Sequence, residues 1–308
     1  MNDIGVLVVT FNQVGILTQW LHNFYRLFGE KRNIYLLILD NNSTDGTYDL
    51  IKKEFPAVEI RKLNRNYGCT TGRNIGISLL DKIGCEFYAS FDADVFVYDA
   101  EYFDKFLTAM RKDTLASGFC PILRWYEDGS IQGMGARRGW HGGLITVNSI
   151  TSDNHVDCLP GGANFIRMAA FKKYGFYDND LPPIGSQDYE WGLRASKLGA
   201  KFYYLPYAEA IHHHQKNSTC SPWTKEWVIE GRAVLLRKHP SLGNVIREIL
   251  YFIFHHRFYG LKPMLNSYYK GFTKRLNKNN YLFNNFNSLG IERFFAEDYF
   301  TDRSMRYD

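Results

Sequence analysis

The sequence predicts an α/β protein: a mostly parallel sheet with helices on both faces, followed by a helical C-terminal extension. Two observations carry this. Strand-length apolar runs alternate with segments of helical period over residues 4–95, at the spacing of βαβ units. Short polar or acidic groups, Thr10 to Asn12, Asp40 and Asp92 with Asp94, fall at the ends of those runs. Ligands bind such sheets outside the carboxyl ends of the strands, so these groups can share one crevice.

The elements follow in order. IGVLVVTF (4–11) reads as a buried strand. Ile16, Leu17, Trp20, Leu21, Phe24 and Leu27 repeat at helical spacing, and Gly29 stops that helix. IYLLIL (34–39) is a second strand, and Asp40 to Gly46 is polar turn chemistry. A short helix through Leu50 and Ile51 precedes a strand near 58–63. Thr71 to Leu80 reads as a helix, and the next strand runs into Asp92 and Asp94. Residues 121–157, rich in Gly, Arg and Trp, read as loops or short hairpins. A strand at 164–166, helices at 169–174 and 187–198 and a strand at 202–211 follow. From Trp223 the pattern is helical and basic, and residues 277–308 show little periodicity. The expected division is a domain over 1–220, split into halves 1–98 and 99–220, and an extension over 221–308.

Composition narrows the class. The 308 residues are 45% hydrophobic and 22% charged, ordinary for a globular chain, while aromatics reach 16%. Most of those rings must be core, with some free to stack on sugars or meet a membrane surface. Five scattered cysteines without a C-x-x-C pair indicate neither a zinc site nor a disulfide framework. No signal pattern and no run of 18 apolar residues occur, so a cytoplasmic protein is expected, and the sequons at Asn41, Asn42 and Asn217 carry no meaning there. Lys225 to Lys278 holds 11 Lys and Arg against three Glu, while the whole chain has a net charge of +5. That basic, aromatic-bearing stretch suits an anionic membrane surface, nucleic acid or a plain helical cap.

The acid pair is the most informative motif. Side chains alternate along a strand, so Asp92 and Asp94 point the same way at its end. Neighbouring carboxylates repel unless a cation sits near them, and a hard divalent ion takes oxygen ligands together with substrate phosphates. Taken alone, such a pair also serves to cap a helix.

Five blocks in order settle the context: VVTFN (8–12), LDNNSTDGT (39–47), NRNYGCTTGRNIGI (64–77), FDADV (91–95), and GGANFIR (161–167) with GSQDYEWGLR (185–194). Their order and spacing resemble an inverting family 2 glycosyltransferase of the GT-A fold, over roughly residues 4–218. The resemblance implies a nucleotide-diphospho-sugar donor, UDP- or dTDP-linked, a Mn²⁺ or Mg²⁺ cofactor, and a glycan or lipid-linked hydroxyl acceptor. It implies surface polysaccharide or glycoconjugate synthesis, with work at the inner membrane face and no nucleic-acid partner. Thr10, Asn12 and Asp40 would meet the nucleoside, Asp40 accepting from a pyrimidine N–H. Asn66, Gly68 and Arg73 would lie beside the diphosphate at a helix start. Asp92 would touch the ribose or a metal-bound water, Gly162 would let backbone pass close to the sugar, and Asp94 would bind the metal. His212 would join it, His214 sharing its face by alternation. Asp188 would be the catalytic base. The family's Glu-Asp pair reads Gln187-Asp188 here, which removes a like-charged neighbour and leaves the acceptor contacts open. Trp140, His141, Gln187 and Trp191 are acceptor candidates, with core packing the competing role for Trp191. The Gln-x-x-Arg-Trp motif and membrane helices of processive members do not occur, so one sugar per event is expected. A nucleotide-sugar pyrophosphorylase would carry a Gly-rich basic loop where Thr10-Phe11-Asn12-Gln13 stands. A catalytically weak nucleotide-sugar or glycan binder is the remaining alternative.

Overall fold

The computed structural model describes residues 3–139, 144–182, 186–214, 222–276 and 290–295. Strands β1 (Ile4–Thr10), β2 (Ile34–Asp40), β3 (Glu59–Lys62) and β4 (Phe87–Phe91) alternate with helices α1 (Val14–Phe28), α2 (Thr47–Glu54) and α3 (Gly68–Ile83). After β5 (Val95–Phe96) come α4 (Tyr102–Lys112), β6 (Gly118–Trp125), β7 (Ile131–Gly133), β8 (Ala136–Arg138), β9 (Leu144–Thr146) and β10 (His155–Val156). Then follow β11 (Ala163–Arg167), α5 (Met168–Tyr174), α6 (Gln187–Lys197) and β12 (Phe202–His212), and finally α7 (Pro222–Lys238), α8 (Leu242–Tyr259) and α9 (Leu261–Thr273).

The main sheet runs in the order β10-β12-β6-β11-β4-β1-β2-β3. β4, β1, β2 and β3 are mutually parallel, as right-handed crossovers through helices require. β11 runs against both β4 and β6, and β12 is parallel to β6. The strands are covered on both faces. Phe87, Ala89 and Phe91 of β4 pack with Trp20, Phe24, Phe103 and Phe106 of α1 and α4. Tyr88 faces the other way, with Ile75 and Leu79 of α3, Phe171 of α5 and Trp191 of α6. The aromatic surplus is largely this core.

Two features depart from the sequence expectation. The stretch expected as loops from 121 begins inside β6, an interior strand. Pro121 argues against a central strand because it cannot donate to a ladder. Its place explains the exception: β11 pairs only with Gly118 and Phe119, and the β12 ladder is interrupted between Tyr204 and Glu209, opposite Pro121. The second departure is α4, whose Phe103, Phe106, Leu107 and Met110 line one buried face. The tail also folds back. A single 3₁₀ turn, Ile291–Phe294, sets Ile291, Phe294 and Phe295 in the core beside Leu63, and Phe295 bridges to Leu63 after β3.

The C-terminal helices are fastened by buried charge. Lys238 of α7 donates to Asp178 and, at 3.0 Å, to Asp180. Glu190 of α6 pairs with Arg194 and lies 3.3 Å from His239. Burial would raise the Glu190 carboxyl, but Arg194 and His239 hold it down at about 2. This pair therefore stabilises the fold above the ordinary glutamate range, and its contribution is lost as pH falls from about 4.5 towards 2.

α6 lies close on the loop before β11. A Cβ on Gly192 would stand 2.7 Å from the Cys158 Cα, a backbone atom that cannot swing aside. Gly192→Val is expected to lower the unfolding free energy by about 3 kcal/mol, the upper part of the overpacking range. A urea midpoint unchanged from wild type would contradict that packing.

Candidate active site

The crevice is built at the carboxyl ends of β1, β2 and β4. Thr10 and Asp40 are register partners at the ends of β1 and β2. Asp40 is fully buried, and its Oδ1 accepts from the Ser43 N–H at 3.0 Å and from the Ser43 hydroxyl. Its Oδ2 is buried with no partner. Burial pushes the Asp40 carboxyl up despite the Ser43 bonds and Lys62. Its ionisation therefore costs stability, a cost absent below the ordinary aspartate range that grows as pH rises from there towards the raised pKa. An oxygen of this kind suits a ligand N–H. Asn12, at φ +53°, shapes the neighbouring loop: its N–H donates to Ser43 Oγ at 2.9 Å and its Oδ1 accepts from the Thr44 N–H at 2.8 Å. Thr10 is buried, its Oγ1 3.4 Å from Gln13 Oε1.

α3 enters the crevice at Gly68, whose φ of +80° favours glycine. Exposed Asn66 accepts the Gly68 N–H at 2.8 Å, and Asn41 accepts the Tyr67 N–H at 2.8 Å, tying this entry to the loop after β2. One turn further on, Arg73 is 3% exposed and donates to Asp92 Oδ1 at 2.7 Å. Burial alone would lower the Arg73 pKa, but neighbouring acidic groups, Cys69 and Asp92 first among them, raise it well above its ordinary value. Its Nη1 is buried without a partner. Asn74, next along, is structural: it exchanges hydrogen bonds with the Tyr177 backbone at 2.8 and 3.1 Å.

Gly161 and Gly162 are where the charges meet. The Gly161 N–H donates to Asp188 Oδ2 at 3.0 Å. A Cβ on Gly161 would lie 2.6 Å from Arg73 Nη1, and one on Gly162 would lie 2.7 Å from Asp92 Oδ2. The glycines thus let backbone pass between Arg73, Asp92 and Asp188. Asp188 sits in the first turn of α6, partly exposed. Burial of its carboxyl pushes its pKa up, with Arg73 and the Gly161 N–H acting in the opposite direction. A carboxylate so placed can receive a proton.

Asp94 meets the end of β12. Its Oδ2 lies 3.3 Å from His212 Nε2 and 4.0 Å from His214 Nδ1, the two imidazoles that alternation puts on one face. His213 turns away and packs on Phe96 and Tyr126. Burial raises the Asp94 carboxyl, yet the His212 and His214 imidazoles bring it below the ordinary range. His212 Nδ1 is 3.0 Å from Gln132 Oε1. With that oxygen as acceptor, Nδ1 carries the proton and Nε2 turns a lone pair towards a carboxylate. In that tautomer a cation, either a proton or a metal, reconciles the two acceptors facing each other. An oxygen and an imidazole nitrogen suit Mn²⁺, and a backing bond to the far nitrogen is usual for a metal-bound histidine. Among the described residues no group of three or more His, Cys, Asp or Glu forms a ready-made metal cage.

Of the acceptor candidates, Trp191 takes its competing role, core packing. Trp191 is 2% exposed, bonds to the Gly175 carbonyl at 2.8 Å and packs on Phe171, Tyr177 and Phe202, so its ring is core and offers no face to a sugar. Trp140 lies outside the described residues. Gln187 is buried beside Asp188 with Oε1 unpaired. Ser43 and Gln132 escaped the sequence reading. Ser43 stands three residues after an aspartate in a turn, a legible signal, whereas nothing in the sequence marks Gln132.

Residues 5–175 match the family model described as "Glycosyl transferase family 2". The chain is 24% identical over 249 residues to the N-acetylglucosaminyl-diphospho-decaprenol L-rhamnosyltransferase of Mycobacterium tuberculosis, an alignment covering 72% of this chain and 80% of that one. It is 25% identical over 272 residues to the dTDP-rhamnosyl transferase RfbF of Shigella flexneri, covering 82% and 87%. Among solved structures, GalNAc-T7 with UDP, GalNAc and Mn²⁺ superposes at a TM-score of 0.61 with 17% identity. That match covers 76% of this chain, which spans about half, 47%, of the GalNAc-T7 chain. At that identity the likeness shows a shared fold.

The buried Asp40 charge gives a test of the site. Asp40→Asn is expected to raise the unfolding free energy at pH 7 by about 0.5–2 kcal/mol, the usual scale of a relieved functional strain. A lower melting temperature than wild type in a thermal scan would contradict an Asp40 held ionised at a cost.

Proposed function

The chain belongs to glycosyl transferase family 2, and on that premise we propose that it moves one sugar from a nucleotide-diphospho-sugar to a hydroxyl of a glycan or lipid-linked acceptor, with inversion at the anomeric carbon. The observation that carries this reading is the convergence of Arg73, Asp92 and Asp188 on Gly161 and Gly162, from three elements far apart in sequence.

Each residue has a role that its surroundings support. The unpaired Asp40 Oδ2 accepts the N3–H of a uracil or thymine, which favours a UDP- or dTDP-sugar. The names of the Shigella relative and of the GalNAc-T7 structure point to the same pyrimidine nucleotides. Thr10 and Asn12 hold the nucleoside loop, and Asn66 with Gly68 shapes the helix entry beside the diphosphate. Asp94 and His212 would hold Mn²⁺ or Mg²⁺, a cation that neutralises charge on the departing diphosphate. Arg73 fixes Asp92 and adds positive potential where that negative charge develops. Asp188 takes the acceptor hydroxyl proton as the oxygen forms its bond to the anomeric carbon and the bond from that carbon to the phosphate oxygen breaks. The raised Asp188 pKa makes the carboxylate a better base than an exposed aspartate. Gln187 Oε1, unpaired beside it, is suited to receive a second acceptor hydroxyl. In this reading residues 1–98 bind the nucleotide, 99–220 the acceptor, and 221–308 form the extension. The Mycobacterium relative's name, which gives a lipid-diphospho-linked sugar as acceptor, supports a role in polysaccharide or glycoconjugate assembly.

Two variants separate these roles. Asp188→Asn is expected to keep a donor-induced thermal shift while turnover falls roughly 10²–10⁴-fold. Turnover within a few-fold of wild type would remove Asp188 as base. Asp94→Ala is expected to lower transfer by at least ~100-fold, and EDTA is expected to abolish it in wild type until Mn²⁺ is restored. Undiminished transfer in excess EDTA would overturn the metal role.

A further inference from the structure

Up to Phe254, α8 turns its charges inward and its apolar residues outward. α8 carries two charged residues between Leu242 and Phe254, Arg247 and Glu248, and both turn towards α7 and α9. Glu248 is 5% exposed and accepts from Arg232 at 2.9 and 3.0 Å, from Arg247 at 2.9 Å and from Tyr268 at 2.9 Å. On the outer face, Leu242, Val245, Ile246, Ile249, Leu250 and Phe254 repeat at the i, i+3, i+4 spacing of one helical stripe, each 40–77% exposed. α9 continues the surface with Leu261, Leu265, Tyr269 and Phe272. No described residue packs over these side chains to bury them. A contiguous apolar surface of this kind marks a contact with an apolar partner.

The charge around the stripe selects that partner. From 249 to 291 the sequence contains no Asp or Glu, and it contains six Lys and Arg. Lys262, Lys270 and Arg275 are exposed on or just after α9, among its apolar residues. A second copy docked by two-fold symmetry would set this basic face against itself, and the half-exposed carboxylate beside it, Glu226, is already paired with Lys270 at 3.5 Å. Anionic lipid answers both features, since acyl chains receive the stripe and headgroups receive the cations. No described helix is long and apolar enough to cross a membrane, which fits a helix pair lying in the interface. We propose that the outer face of α8 and α9 docks the protein on an anionic membrane surface, the aliphatic stripe entering the headgroup boundary and Lys262 and Lys270 meeting lipid phosphates.

The test is co-sedimentation of the full chain with vesicles of phosphatidylcholine alone and of phosphatidylcholine mixed with phosphatidylglycerol, at low and high salt. The expected result is binding to the anionic vesicles that salt weakens, through screening of the headgroup charge. Ile246→Glu with Leu250→Glu, at exposed positions, should reduce the bound fraction at least ~10-fold with an unchanged melting temperature. Lys262→Glu with Lys270→Glu should reduce binding to the anionic vesicles alone, and supplies the same test if the first pair disturbs folding. Wild type remaining in the supernatant with both vesicles, or binding both equally, overturns the proposal. So does a dimer in light scattering that the Ile246 and Leu250 changes dissolve while neither protein binds vesicles, which assigns the stripe to a second copy of the chain.

Discussion

Everything in the crevice is arranged around one buried cation. Arg73 lies inside α3 with almost no solvent contact, which an unpaired guanidinium could not sustain. Asp92 at the end of β4 bonds to it, and Asp188 at the start of α6 is biased by it towards the carboxylate form, against the burial that raises its pKa. The chain from β4 to the acid pair, the glycine loop before β11 and the first turn of α6 must therefore be placed around the same guanidinium. Gly161 and Gly162 are the geometric consequence, since a side chain on either would strike Arg73 or Asp92.

Helix α6, which carries Asp188, is also held from behind. Glu190, two residues after Asp188, is buried against Arg194 and His239, and Lys238 joins α7 to Asp178 and Asp180. Asn179, between those two aspartates, lies 3.2 Å from both Asn74 and Thr71 of α3. A continuous path of hydrogen bonds thus runs from the C-terminal helices through the 177–180 loop to the helix that carries Arg73. Helix α7 is therefore tied to the geometry of the crevice, because removing any one buried charge here would leave its partner uncompensated.

Much of this was legible from residue types and spacing. Parallel strands buried on both faces announce themselves as continuous apolar runs, so β1, β2, β4 and the helices between them were placed by pattern alone. Asp92 and Asp94 stood out as an acid pair at a strand end, and the five ordered blocks, through their resemblance to family 2 glycosyltransferases, singled out Asp40 and Asp188 from acids that could equally shape turns or cap helices. His212 and His214 followed from alternation along β12. The misses have physical causes. Pro121 disguised β6, because its missing N–H matters only where a neighbour needs it, and the ladder gap opposite it is a tertiary feature. Trp191 stood between a sugar platform and core packing, because a tryptophan in a helix carries no sign of which face is buried, and the fold gives it to the core. The Gln132 contact to His212, and the return of Phe294 to the edge of the sheet, depend on loops whose course only the assembled fold determines.

The central claim is that this charge-lined crevice carries out a single displacement, with Asp188 receiving the acceptor proton. The most direct measurement is the anomeric configuration of the first-formed product, read from the one-bond C1–H1 coupling in NMR before the sugar can equilibrate. The account predicts a configuration opposite to that of the donor. Retention of the donor's configuration would contradict it, because two displacements, or a front-face path, need no base where Asp188 stands.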